Sequence, residues 1–129
     1  MIEFLFDMTR AVVDLVLAGT IAGHADIEFI IPHAAATLPM IVDRVGVFSR
    51  LLDAGASADV LRDIARLHYD LAGLPRARQL DALPTITTLE HLHDGSDHPF
   101  TREFAVVMRQ NASKRLARSQ RPSTTSFGE

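Results

Sequence analysis

Apolar positions along the chain alternate between two kinds of segment. From Asp7 to Ala18 they are dense on nearly every side, and Met8, Val12, Leu15 and Val16 make the most continuous stripe. That spacing predicts a helix with packing partners on more than one face. IEFIIP, residues 27–32, is short, rich in β-favouring side chains and stopped by Pro32. It predicts a strand buried on both sides. Leu38 to Ala54 returns to helical spacing, with Pro39 tolerated in the first turn and Gly55 placed as a C-cap. Ser57 is placed to cap a shorter helix carrying Val60, Leu61 and Ile64 on one face. LHYDLAG, from Leu67, predicts a second strand running into a loop, Arg76 to Leu83 a helix, and Glu90 to Asp94 a third strand. Phe104, Val107, Met108, Ala112 and Leu116 outline a last amphipathic helix opening near Thr101. Strands separated by such helices imply βαβ units, hence an α/β fold with a parallel sheet. No repeat or linker divides the chain, so one domain is expected over residues 1–117, with 118–129 a polar, flexible tail.

Composition narrows the function classes. A chain of 129 residues buries one modest core. A net charge of −3 gives no general attraction for nucleic acid or an anionic membrane. The basic run RQNASKRLARSQR falls at the end of the predicted last helix, where cations favour the helix dipole. It has no aromatic platform beside it, so no nucleic-acid partner is expected. The apolar N-terminus is interrupted by Glu3, Asp7, Arg10 and Asp14 and has no basic segment before it. Neither a signal peptide nor a membrane span is expected, and a cytoplasmic location follows. The absence of cysteine excludes disulfides and thiolate ligands, so any metal must be held by His, Asp or Glu.

In a parallel α/β sheet, polar chemistry gathers at the C-terminal ends of the strands. The three predicted strand ends carry His33, Tyr69 with Asp70, and Asp97. A carboxylate and an imidazole on neighbouring strand ends can bind a divalent metal, activate its water and move a proton. The same residue types also commonly do no more than end strands. HLHDGSDHPF, residues 91–100, concentrates further donors. By period-two alternation His91 and His93 share one side of the third strand, which leaves two readings, a new metal pair or a partner-facing surface. They lie several residues before the strand's end, too deep to converge easily with Asp97 on one ion. His24 and His68 read as surface or packing residues.

FDMTRAVVDLVLAGTIAGHADIEFIIPHAAATLPMIVDRV resembles a segment of the amidohydrolase-related family, the group of aminocarboxymuconate-semialdehyde decarboxylase and amidohydrolase 2 proteins. There an aromatic-Asp-Thr-Thr-Arg start leads through a helix and a strand to His-Ala-Gly-Gly-Thr-Leu-Pro. HYDLAG is similar to that family's Tyr-Tyr-Asp strand, HLHDGSDHPF to its Gly-Ser-Asp-Tyr-Pro-Phe strand end, and NASKRL to its Asn-Ala-x-Arg-Leu helix. These landmarks fall in the right order across nearly the whole chain. The resemblance implies a (β/α)8 TIM barrel, of which this chain is the C-terminal part with about the last three units. It implies hydrolase or decarboxylase (lyase) chemistry with one divalent metal, zinc or manganese, acting on a small carboxylated or aromatic substrate. It assigns metal binding and proton transfer to Asp97 and substrate chemistry to His33. His98 departs from the family, which has Tyr there, and beside Asp97 it is a better placed auxiliary metal ligand than His91 or His93.

The family's His-x-His pair and mid-barrel His have no counterpart here, and a complete barrel needs about 250 residues. Three strands leave edges unpaired and the inner face open, so self-association or a partner supplying the N-terminal barrel half is expected. Ala35 and Ala36 replace the family's Gly-Gly; if either glycine is needed for positive φ or for close approach of substrate to the backbone, the added methyl interferes. His93 and Asp94 replace Leu-Phe, and NASKRL follows Phe100 sooner than in the family, which suggests a lost helix. Two functional classes follow. One is a working piece of a metal-dependent enzyme, inactive alone; the other is a non-catalytic α/β remnant serving as an oligomerisation or partner-binding module.

Overall fold

The computed structural model describes residues 2–52, 59–73, 75–101 and 114. Its elements are α1 (Ile2–Leu17), α2 (Thr20–Gly23), β1 (Ile30–Ile31), α3 (Leu38–Leu52), α4 (Val60–Ala65), β2 (His68–Asp70), α5 (Ala77–Ala82) and β3 (Leu92–His93). Single tight turns lie at Leu83–Thr85 and Leu89–His91. The strands form one parallel sheet in the order β1-β2-β3, as the βαβ reading requires. Ile30 pairs with His68, Ile31 with Tyr69, Tyr69 with Leu92 and Asp70 with His93.

That register sorts the side chains. Ile31, Tyr69 and Leu92 turn to the helices and join a core built from Val12, Val16, Leu38, Val42, Ile64 and Leu80 among others. Ile30, His68, Asp70 and His93 turn the other way. Ile30 is 57% exposed, so this second face is open. Helices on one side of three parallel strands are the repeat of a barrel wall, with the open face as its inner lining.

Several sequence expectations need correction. α1 starts five residues earlier than the stripe suggested, because Glu3 in its first turn suits the positive end of the helix dipole. It ends where Gly19 turns left-handed (φ 73°), and the short α2, which the pattern did not show, follows directly. β1 is two residues long rather than six, and β3 is Leu92–His93 rather than Glu90 to Asp94. His91 therefore sits in a tight turn and not on the strand with His93. Asp59 caps α4, its carboxylate accepting from the Arg62 N–H at 3.2 Å. The expected endings at Ala54 and Gly55, the Ser57 cap, the last helix, the basic run and the tail lie outside the described residues.

Two buried polar side chains lock the layers. The Thr9 hydroxyl on α1 donates to the Leu5 carbonyl (2.9 Å), meets the Thr37 hydroxyl (2.9 Å) and accepts from the Thr37 N–H (3.3 Å), fastening α1 to the start of α3. Tyr69 is fully buried, and its hydroxyl donates to the Ile64 carbonyl at 2.7 Å. Burial pushes its phenol up and so holds it in the donating form. Tyr69→Phe is expected to cost about 1 kcal/mol in a urea melt, since it removes one hydrogen bond and leaves the Ile64 carbonyl only the Leu67 N–H, at 3.2 Å. A variant as stable as the parent would show that the Leu67 N–H alone satisfies that carbonyl.

Candidate functional site at the strand ends

The three strand ends converge on a carboxylate. After Pro32, still extended, the chain enters four successive residues of positive φ: His33 at 56°, Ala34 at 51°, Ala35 at 61° and Ala36 at 48°. They make one left-handed turn closed by the Ala36 N–H donating to the His33 carbonyl at 3.0 Å. Non-glycine residues avoid this region because Cβ crowds the following carbonyl, so neighbours must hold the turn in place. Two do so. The Asp70 carboxylate at the end of β2 accepts the His33 N–H (2.9 Å) and the Ala72 N–H (3.0 Å) on one oxygen. The Gln79 amide on α5 donates to the His33 carbonyl (2.8 Å) and lies 3.3 and 3.4 Å from those of Ala34 and Ala36.

The His33 ring is fixed from two further sides. Phe4 meets it edge to face, ring centres 5.1 Å apart. Gly73, at φ 71°, lies so close that an added Cβ would stand 2.3 Å from His33 Nδ1, so no other residue fits there. Gly95 plays the same part for the β3 end. A Cβ there would sit 3.2 Å from Asp70 Cγ and 3.1 Å from Ala72 Cβ, so glycine lets the segment leading to Asp97 approach Asp70.

Asp97 itself has φ 55° and opens a turn. Its carbonyl accepts from the Phe100 and Thr101 N–H groups (2.8 and 2.9 Å), and its Oδ2 accepts the Thr101 hydroxyl at 2.6 Å. His98 is exposed, with its N–H donating to the Ser96 hydroxyl at 3.2 Å. The structure thus joins His33 to Asp70 and brings Gly95, two residues before Asp97, against Asp70. It makes no hydrogen bond between His33 and Asp97. Among the described residues no three His, Asp or Glu side chains gather closely enough to hold a metal ion.

Sequence reasoning placed Asp70 at a strand end without giving it a role, although HYD at the end of a strand was the available signal. Nothing in the sequence marked Gln79. His24 is exposed, as expected, and His68 is packed against other histidines. A separate groove of about 430 Å³, lined by Pro39, Val42, Ile64, Ile86 and Thr87 among others, lies on the helical side, away from the strand ends. Among the described residues no helix is long and apolar enough to cross a membrane.

No family model matches the sequence. Two curated proteins are similar. The chain is 27% identical over 113 residues to a 6-methylsalicylic acid decarboxylase, acuB, of Aspergillus aculeatus, covering 83% of this chain and 34% of that protein. It is 26% identical over 104 residues to the decarboxylase yanB of Aspergillus niger, covering 77% of this chain and 28% of that protein. This chain matches about a third of the length of these relatives. A crystal structure of an amidohydrolase II superposes with a TM-score of 0.72 at 25% identity, over 88% of this chain and 42% of that one. The likeness is distant, but sequence and fold point the same way: the chain is similar to amidohydrolase-related proteins, and its three parallel strands match part of a (β/α)8 barrel.

Proposed function

We propose that the chain is the C-terminal part of a metal-dependent hydrolase or decarboxylase of the cytoplasm, inactive alone, that acts on a small carboxylated or aromatic substrate when the rest of the barrel is supplied. The observation that carries this reading is the tie between the Asp70 carboxylate and the His33 backbone, which holds an imidazole at the catalytic edge of a parallel sheet. A strained turn kept by a carboxylate, a side-chain amide and two ring contacts fits a side chain positioned for work. In this role His33 gives or takes a proton at the substrate.

Asp97 has one carboxylate oxygen engaged by Thr101, no hydrogen bond among the described residues engages the other, and the His98 ring stands beside it in the chain. Two donors do not complete a zinc or manganese site, which takes at least three protein ligands, and on this reading the missing barrel strands supply the rest. A metal bound there would supply an activated water.

A second reading, a non-catalytic association module, has its own support. The inner face is open at Ile30, and Met40, Val47 and Leu51 expose an apolar row along α3, at 72, 56 and 73%. A second copy covering these surfaces would bury them.

One set of experiments separates the readings. The chain is purified alone and also co-expressed with the N-terminal portion of a related decarboxylase. Each sample is examined for bound zinc or manganese and for turnover of 2-hydroxybenzoates. The enzyme reading expects metal and turnover only in the reassembled sample, with both lost in Asp97→Ala while folding is retained. Metal content unchanged by that substitution removes Asp97 from its role. In sedimentation the chain alone is expected to be dimeric or larger. A compact monomer with cooperative melting would sink the association reading.

A further inference from the structure

The left-handed turn after β1 is gripped through groups of both polarities by one neighbouring unit of the chain. Asp70, which ends β2, takes the His33 N–H, and Gln79, on the α5 helix that follows, faces the carbonyls. Three oxygens, those of His33, Ala34 and Ala36, lie 2.8, 3.3 and 3.4 Å from one nitrogen, Gln79 Nε2. An amide nitrogen has two hydrogens, so it holds the first carbonyl squarely and shares what remains between the others. The convergence follows from the backbone. Four successive residues of positive φ make a helical turn of the rarer hand, and in a helical turn the peptide dipoles align and their partial charges add. Ala34 is fully buried, so its carbonyl has no water to turn to.

We infer that Gln79 is a positioning residue for His33, and that its amide sets the imidazole in place within this chain, before any other part of a barrel is supplied. This rests on the role proposed for His33. Glycine holds positive φ unaided, whereas Ala35 and Ala36 do so against the crowding of their methyls. Their turn stays closed while a donor stands at the focus of its carbonyls. The His33 carbonyl is the link, because it accepts both the Ala36 N–H at 3.0 Å and the Gln79 amide at 2.8 Å. Losing the amide therefore loosens the turn at the residue that carries the imidazole. The arm that delivers it is fixed, since Leu80, next to Gln79, and Leu83, just after α5, are buried in the core. The same unit also supplies Gly73, which lies against His33 Nδ1. Among the described residues no hydrogen bond joins Gln79 to Asp97, so its removal should leave the Asp97 turn intact.

Two signals of the chain alone test this at pH 7.5: amide exchange at the Ala36 N–H, and the ring-current shift that Phe4 imposes on the His33 imidazole. Gln79→Leu, close in size but without a donor, is expected to quicken exchange by about tenfold or more and to move the imidazole signals toward those of free histidine. Gln79→Glu sets a negative charge among the carbonyls and should do more. Gln79→Lys, whose ammonium donates three hydrogens, should stay within about threefold of the parent. Parent-like exchange in Gln79→Leu would overturn the inference. So would equal effects of all three substitutions, which would make the side chain a space-filler. Should Gln79→Leu fail to fold, it is combined with Ala36→Gly. Glycine eases the turn, so the double variant should fold and regain the imidazole shift, and failure to do so counts against the inference.

In the reassembled enzyme, Gln79→Leu is expected to lower kcat by about tenfold or more, with KM within about twofold and metal content unchanged. Turnover equal to the parent's would remove Gln79 from its role. If the reassembled parent itself turns nothing over, the proposed enzyme falls, while exchange and the imidazole shift still decide for or against Gln79 as the residue that places His33.

Discussion

Ala36→Gly is expected to raise stability by about 1–3 kcal/mol, seen as a higher urea midpoint with an unchanged slope. Ala36 has φ 48° and ψ −110°, a combination that a residue with a Cβ adopts only under strain. Glycine removes the clash at the cost of some extra freedom in the unfolded chain, and at positive φ the first effect is the larger. Ala35, at φ 61°, is nearer the ordinary left-handed region, so Ala35→Gly should gain less, about 1 kcal/mol. Both alanines occupy positions where the family pattern has glycine. A neutral or destabilising Ala36→Gly would mean that the turn is not strained, and that Asp70 and Gln79 merely decorate it.

The broad architecture was legible because apolar spacing is a local property. The stripe of Val12, Leu15 and Val16 and the run ending at Pro32 each specify an element without reference to anything distant. Strand lengths were not legible. Glu28 and Phe29 look like strand residues in IEFIIP, but only Ile30 and Ile31 find pairing partners on β2, and pairing depends on the neighbouring chain. The third strand was overestimated for the same reason. His33 and Asp97 were visible as strand-end residues, and the Ala-for-Gly replacements pointed to the strain that the left-handed turn displays. The clamp on His33 was hidden, since Gln79 lies 46 residues away and its partners are backbone carbonyls that no side-chain pattern announces. The histidine cluster was hidden too. Period-two alternation coupled His91 with His93, whereas the structure places His68 between them by bringing in another strand.

The largest loss is expected from Asp70→Ala, about 2–4 kcal/mol. The half-buried carboxylate accepts two backbone N–H groups, and hydrogen bonds to a charged acceptor contribute roughly 1.5–3 kcal/mol each, less where solvent reaches them. Its removal leaves the His33 N–H without a partner at the mouth of a strained turn, so that turn should relax first. Amide exchange gives the specific signature: protection falls at His33 and Ala72, while the Tyr69 hydroxyl keeps its bond to Ile64 on the other face of the strand. Asp70→Asn retains an acceptor oxygen in the same place but loses its charge, and should recover about half of the loss. In a reassembled enzyme both substitutions should lower kcat more than they raise KM, because they displace His33 without touching the substrate. If Asp70→Ala melts within about 0.5 kcal/mol of the parent, the left-handed turn is held by Gln79 and Gly73 alone, and His33 owes its position to packing rather than to the β2 carboxylate.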